Sequence, residues 1–398
     1  MVRNVSLGAA SHASPGPRYA GDPPCQLQHR LGRRAIQQPE ASHDSSSPKP
    51  SAVWGPTRRP ERGSALTVVL ATAGLLVVGF PGLPSAAAHS TCFGRPATNP
   101  GSTAGTPGPD VIIGTPGPDT IDGNGGRDLI CGLGGDDTLS GGRGNDKIDA
   151  GAGDDLLVGD VISLGGHAVG GGDDLLYGRG GDDRVNGDSR GESATGGGND
   201  RIYGGRGDDW VTGDSFAFTG NAKGAGDDLI KGEQGLDFGI GDSNAAGDAI
   251  GRGGDDVIDL GADGGGVAIG DHNVFVLDPG AGRAIGSGND QLIGGSADEP
   301  LVGDSSAANV NVTDAGNDVI KGRGGNDALF GDNANFDATA TIGTVGGRGE
   351  LNGGAGDDTL RAGPANDFLD GGPHTDLCDG EAGNRDTAVR CETVNGIP

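Results

Sequence analysis

Between Gly105 and Val158 the apolar and polar positions repeat every nine residues without a slip. The nines read GTPGPDVII, GTPGPDTID, GNGGRDLIC, GLGGDDTLS, GGRGNDKID and AGAGDDLLV. The eighth position is always aliphatic: Ile112, Ile121, Ile130, Leu139, Ile148 and Leu157. The sixth is always aspartate: Asp110, Asp119, Asp128, Asp137, Asp146 and Asp155. The fifth settles to Asp136, Asn145 and Asp154. Three residues after each aspartate are long enough for one short strand, with the eighth position turned inward. The glycine-rich run before it must turn tightly, because glycine reaches the positive φ values that other residues resist. Strand, turn, strand, turn predicts an all-β chain: a parallel β-roll or β-helix solenoid. A flexible glycine-rich linker would have no reason to keep aspartate and aliphatic residues in phase.

Such a turn aims carbonyl oxygens inward, and the aspartate adds an anionic oxygen beside them. Calcium takes six to eight hard oxygen ligands in a flexible geometry. One turn cannot supply that many, whereas two stacked turns can. The pattern resembles the G-G-x-G-x-D-x-U-x repeat of the RTX (hemolysin-type) proteins. That resemblance implies calcium ions, several of them, between successive turns.

After Val158 the rhythm lengthens. Aspartates recur nine apart at Asp174 and Asp183, Asp200 and Asp209, Asp228 and Asp237, and Asp318 and Asp327. Asp256 and Asp290 take the same place in the modules between, and Asp358 and Asp367 mark the return of simple nines from Gly353. With the first six, these aspartates are the candidate metal ligands. Gly-Asp steps punctuate the modules at Asp160, Asp188, Asp214, Asp242, Asp271, Asp304 and Asp332, and an insertion follows each. Two modules decay: Glu299 replaces the aspartate in GGSADEPLV, and GADGGGVAIGD has none at the equivalent place. Those two sites are expected to be weak or empty. The inserts alternate apolar and polar residues around Phe216 and Phe218, Val274 and Val276, and Val310 and Val312, which argues strand. They form either a third side of each coil or a row of projecting loops, with one coil per module of about 28 residues favoured because like turns then stack at the ~4.8 Å strand spacing.

Charge sharpens the metal reading. The chain has 28 Lys and Arg against 56 Asp and Glu. Residues 1–88 hold nine of the basic and four of the acidic ones, so His89 onward carries a formal charge of −33. Low hydrophobicity with that much charge predicts disorder unless cations cancel it. No basic stripe is present to meet phosphates, so nucleic acid is not an expected partner.

Residues 1–64 show no period and read as an N-terminal extension that is either disordered or in part ahead of the true start, for which Val53 is a candidate. Residues 65–88 read as the apolar and cleavage regions of a secretory signal peptide: Ala65–Phe80 is apolar, Arg58, Arg59 and Arg62 precede it, and Ser85-Ala86-Ala87-Ala88 follows. A membrane anchor is the alternative, but sixteen residues fall short of the ~20 that a spanning helix needs. The mature form is therefore expected outside the cell, beginning near His89 without membrane insertion. Residues 89–104 would form an N-terminal cap, 105–158 the regular repeats, 159–352 the longer modules, and 353–398 the last repeats and C-terminal cap. Discarding Cys25 leaves Cys92, Cys131, Cys378 and Cys391, in two groups at opposite ends of the array. Staples Cys92–Cys131 and Cys378–Cys391 are expected in an oxidising compartment. Zinc competes, but no C-x-x-C pair or grouped histidine supports it. The segments TCFGRPAT and TDLCDGEAGNRDTAVRCETVNGIP resemble the mature start and disulfide-closed end of secreted actinobacterial calcium-binding repeat proteins. The resemblance departs from the RTX toxins in lacking a hydrophobic pore-forming region.

No sequence signature of catalysis is left over: there is no G-x-S-x-G and no H-E-x-x-H. His167, His272 and His374 are expected at the surface. The sequence thus points to an exported, non-enzymatic calcium-binding solenoid with a structural or adhesive role and no identifiable extracellular partner. The alternative is a scaffold that binds a glycan or an ice surface through its insert row.

Overall fold

The structure is a computed structural model and describes residues 91–275, 282–308, 312–383 and 385–398. The extension, the signal-peptide region, Cys25, Val276 and Val310 lie outside the described residues. No helix forms among those described. Each nonapeptide contributes one short strand, and alternate nonapeptides fall on opposite faces. The first face runs from Val111–Ile113 to Thr387–Val389 and the second from Thr120–Asp122 to Thr393–Asn395, with twelve parallel strands in each. In the first coils Val111 pairs with Leu129 and Thr120 with Thr138, so one coil takes two nonapeptides.

The eighth-position side chains fill the space between the faces. Ile112, Ile130, Ile148, Leu176, Ile202 and Ile230 from the first face meet Ile121, Leu139, Leu157, Val185 and Val211 from the second, all almost fully buried. This core is one side chain deep on each side. Turn glycines are equally constrained: Gly144, at φ 130°, would press an added β-carbon to 1.7 Å from the Gly126 carbonyl oxygen of the previous coil.

Past Val158 a third face of ten strands opens, from Ile162–Val169 to Ala334–Asn335. Each long module adds one coil, so the inserts form a third side rather than projecting loops. Most of its strands span two residues, such as Phe216–Ala217 and Ala222–Lys223, instead of the alternating strands expected from the sequence. Phe216 and Ala217 are both buried. Small residues (Ala217, Ala222, Ala245, Ala249, Val274 and Ala284) build a separate thin core beneath this face. Ile240, Ile269, Val302 and Phe330, at the ends of second-face strands, form a further buried cluster with Ala334 of the third face.

The ends are covalently closed. A hairpin of Thr91–Cys92 and Arg95–Pro96 is tied to the first face by Cys92–Cys131, and Cys378–Cys391 ties the tail to the second.

Candidate metal columns

Each strand-leading aspartate sits one residue before its strand, at the mouth of the turn, and two columns result. Along the first face run Asp110, Asp128, Asp146, Asp174, Asp200, Asp228, Asp256, Asp290, Asp318 and Asp367. Along the second run Asp119, Asp137, Asp155, Asp183, Asp209, Asp237, Asp327 and Asp358. The bonding repeats from coil to coil. Asp110 donates its backbone N–H to Asp128 Oδ1 at 2.7 Å, Asp137 to Asp155 Oδ1 at 2.7 Å, Asp183 to Asp209 Oδ1 at 2.9 Å, and Asp228 to Asp256 Oδ1 at 2.7 Å. The spacing is 18 residues in the two-faced coils and 26 or more where the third face intervenes.

One oxygen of each carboxylate is thereby used. The other is buried without a partner, from Asp128 Oδ2 and Asp137 Oδ2 through to Asp358 Oδ2 and Asp367 Oδ2. Its surroundings show in the first-position glycines. A β-carbon on Gly132 would lie 2.2 Å from Asp137 Oδ2 and 2.5 Å from the Ala150 carbonyl oxygen, and one on Gly141 would lie 2.5 Å from Asp146 Oδ2 and 2.1 Å from the Gly159 carbonyl oxygen. The free carboxylate oxygen and a carbonyl of the next coil therefore border the same cradle. Among the described residues no three His, Cys, Asp or Glu side chains gather into a metal-binding cluster. The donor set is mixed carboxylate and carbonyl oxygen, which suits a hard cation such as calcium and not zinc.

Electrostatics point the same way. Burial pushes the Asp137 and Asp146 carboxyls up to about 6, and Asp128, Asp155 and Asp183 up to about 7; donated N–H bonds oppose the shift without cancelling it. Asp209 rises to about 8, from burial first and then the charges of Asp237 and Asp183. An unpaired buried carboxylate costs several kcal/mol, whereas a whole domain is stable by about 5–15 kcal/mol. Twenty-six described carboxyl groups carry a buried oxygen without a partner. Ionised and without cations, they would outweigh the fold's stability many times over.

The columns begin and end differently. Asp110 has both oxygens occupied: Oδ1 accepts the Thr98 hydroxyl at 2.8 Å, and Oδ2 accepts the Thr106 N–H and hydroxyl at 2.6 and 2.8 Å. The Thr106 N–H accordingly holds its carboxyl below the ordinary range. Half-buried Asp119 accepts the Thr115 N–H at 2.5 Å. These first two positions are capped by threonines, where the next four repeats have Asn124, Leu133, Gly142 and Gly151. At the far end Asp376 and Asp386 continue the columns, and Glu392 Oε2 closes the second by accepting the Asp376 N–H at 2.8 Å.

Three further features were not anticipated. Glu299, expected to mark a weak site, is a full member of the second column: Oε1 accepts the Gly265 N–H at 2.7 Å, its own N–H bonds Asp327 Oδ1 at 2.9 Å, and Oε2 has no partner. Its extra methylene reaches past Gly266, which leads the preceding strand and has no carboxylate. The fifth-position residues form an exposed row of opposite polarity, in which Asp182 N–H bonds Asp154 Oδ1 at 3.0 Å and Asp208 N–H bonds Asp182 Oδ1 at 2.9 Å. His272, expected at the surface, is fully buried, with Nδ1 3.7 Å from Asp242 Oδ2. It occupies the slot after Gly-Asp that Ser189, Ser215, Ser243 and Ser305 fill elsewhere, so the thin third-side core encloses it.

The profile of the RTX calcium-binding nonapeptide repeat, in four copies, matches residues 104–139, 132–161, 168–189, 194–217, 308–335 and 352–385. The chain carries RTX calcium-binding repeats. No curated protein and no solved structure matches it. The RTX matches skip residues 218–307, yet the columns continue there through Asp228, Asp237, Asp256 and Asp290. Turns in that stretch, whose inserts exceed the nine-residue phase, still stack on their neighbours.

Proposed function

We propose that this chain is an exported calcium-binding solenoid whose folding is driven by Ca²⁺, with a structural or adhesive role outside the cell and no catalysis. The supporting observation is the partnerless oxygen that the strand-leading aspartates from Asp128 onward hold, beside a carbonyl of the next coil at Asp137 and Asp146. The aspartates from Asp128 to Asp367 in the two columns, with Glu299, are the residues that would hold the ions. Calcium when bound supplies charge cancellation and crosslinks successive turns; the chain supplies two kinds of oxygen and a spacing that repeats. Affinity on the order of 10⁻⁴–10⁻³ M is expected, as for extracellular modules. The export half rests on the apolar Ala65–Phe80 stretch and on two disulfides, which form in oxidising compartments.

Native mass spectrometry of the protein from culture medium tests both halves. The expected species begins near His89, has four oxidised cysteines and carries several calcium ions. A chain that retains residues 1–64, or that stays calcium-free in millimolar calcium, would contradict the reading.

A further inference from the structure

The Gly-Asp aspartates form a third column, and its geometry shows what they replace. In the two-faced coils the fourth-position N–H of each turn donates to the third-position carbonyl of the next coil, as Gly126 N–H does to Arg143 O at 2.8 Å. The third face is spliced into the turn between its second and fourth positions. Asp160 stacks on Gly142, whose N–H bonds the Asp160 carbonyl at 3.0 Å. Gly172 resumes over Gly144, since its β-carbon would lie 2.1 Å from the Gly144 carbonyl oxygen. The third-position carbonyl is therefore carried away into the insert.

A carboxylate takes over its hydrogen bond. Asp188 Oδ1 accepts the Gly172 N–H of the coil before at 3.3 Å. In the later modules the carboxylate instead accepts the fourth-position N–H of its own coil: Asp271 Oδ1 from Gly288 at 2.8 Å, Asp304 Oδ1 from Gly316 at 2.6 Å, and Asp332 Oδ1 from Gly347 at 2.8 Å. All seven Gly-Asp carboxylates have no exposed surface. In these four the second oxygen has no partner, and in Asp160 and Asp214 neither oxygen has one. The strand-leading columns show the same division, one oxygen held by backbone and one left over.

Each inserted coil thus brings two buried carboxylates to one corner, as with Asp188 and Asp200 or Asp214 and Asp228. Burial, and then the Asp200 charge, hold the Asp188 carboxyl well above the ordinary range. Two carboxylates match the charge of one divalent ion, whereas a two-faced turn supplies a single buried carboxylate. We propose that the Gly-Asp aspartates create a second class of calcium site, confined to the three-faced coils, in which an added carboxylate replaces the displaced carbonyl and tightens binding. Ligand charge count is one of the determinants of calcium affinity. The inference rests on the calcium reading above.

Calorimetric titration of the calcium-stripped full chain with CaCl₂ tests it. Wild type should titrate in two phases at least tenfold apart in affinity. Asp188→Asn/Asp214→Asn should shrink the tighter phase and spare the weaker one, and Asp137→Asn/Asp155→Asn should do the reverse. A single phase, or a tighter phase unchanged in Asp188→Asn/Asp214→Asn while Asp137→Asn/Asp155→Asn loses calcium, overturns the second class and leaves the calcium reading intact. Wild type that binds no calcium overturns both. Should the Asp188→Asn/Asp214→Asn chain not refold, Asp160→Asn, at the start of the inserted side, carries the same test by the same criterion.

Discussion

Asp155 Oδ1 accepts the backbone N–H of Asp137 at 2.7 Å from one coil further along, and Oδ2 of both residues is buried without a partner. One carboxylate therefore joins two coils and contributes to the space between them. Asp137→Ala should raise the calcium midpoint of folding several-fold and remove a hydrogen bond to a charged group, worth about 1.5–3 kcal/mol. Exposed Asp263, outside both columns, is the control. Asp263→Ala changes net charge equally and should be nearly silent, while Asp137→Asn should fall between. Equal shifts for Asp137→Ala and Asp263→Ala, read by dichroism across a calcium titration, would show that only total charge matters.

The cradle should be sensitive to a single carbon. Gly132 has no left-handed φ, so alanine there is opposed by space alone, with Asp137 Oδ2 at 2.2 Å and Ala150 O at 2.5 Å. Gly132→Ala should raise the calcium midpoint. Gly165→Ala, with nothing within 4 Å, should stay within about 0.5 kcal/mol of wild type. The two midpoints, measured side by side, decide it.

The nonapeptide phase made the two strand faces, their core and most of the two columns legible, because the fixed spacing puts residues such as Asp137 at the turn and Leu139 inside the strand in every repeat. The third face was ambiguous, since an insert with few apolar residues fits a loop row as well as a side. Glu299 was undervalued, and Asp376 and Asp386 were left out of the candidate ligands, for a related reason: strict spacing is visible in sequence, whereas side-chain reach and backbone slack are not. The role of Asp188 was hidden because the carbonyl it replaces is a feature of the turn, not of its side chains. Burial of His272 had no local signal, its neighbours being as polar as any surface stretch.

Without calcium, protons should substitute for it in part. Asp128, Asp155 and Asp183 rise to about 7 and Asp209 to about 8 when buried, against about 3.9 in an unfolded chain. A carboxyl raised in the folded state binds its proton there first, so its contribution is full below the unfolded value and is lost as pH rises through the folded one. Resin-stripped protein should therefore hold more strand structure at pH 5 than at pH 8. In calcium the dependence should reverse, because protons compete for the same oxygens, and the calcium midpoint should rise as pH falls from 8 to 5. Dichroism that is independent of pH in stripped protein would contradict this.

The staples act at the ends of the array. Closing loops with sequence separations of 39 and 13 residues, they are expected to contribute about 4 and about 3 kcal/mol by the chain-entropy estimate. Reductant should raise the calcium midpoint without abolishing calcium-induced folding, since the mid-array columns hold no cysteine. Peptide mapping without reductant should recover Cys92 linked to Cys131 and Cys378 linked to Cys391; a Cys92–Cys378 peptide would refute the local pairing.

The central claim is that cations hold this fold together. A −33 charge on residues 89–398, set against a core one aliphatic side chain deep, leaves metal binding to supply the folding free energy. Far-UV dichroism of the full chain at pH 7.5, first in chelator and then in millimolar calcium, tests it most directly. A largely unstructured spectrum that converts to strand on adding calcium is the expected result; the same strand content in both conditions would contradict the account.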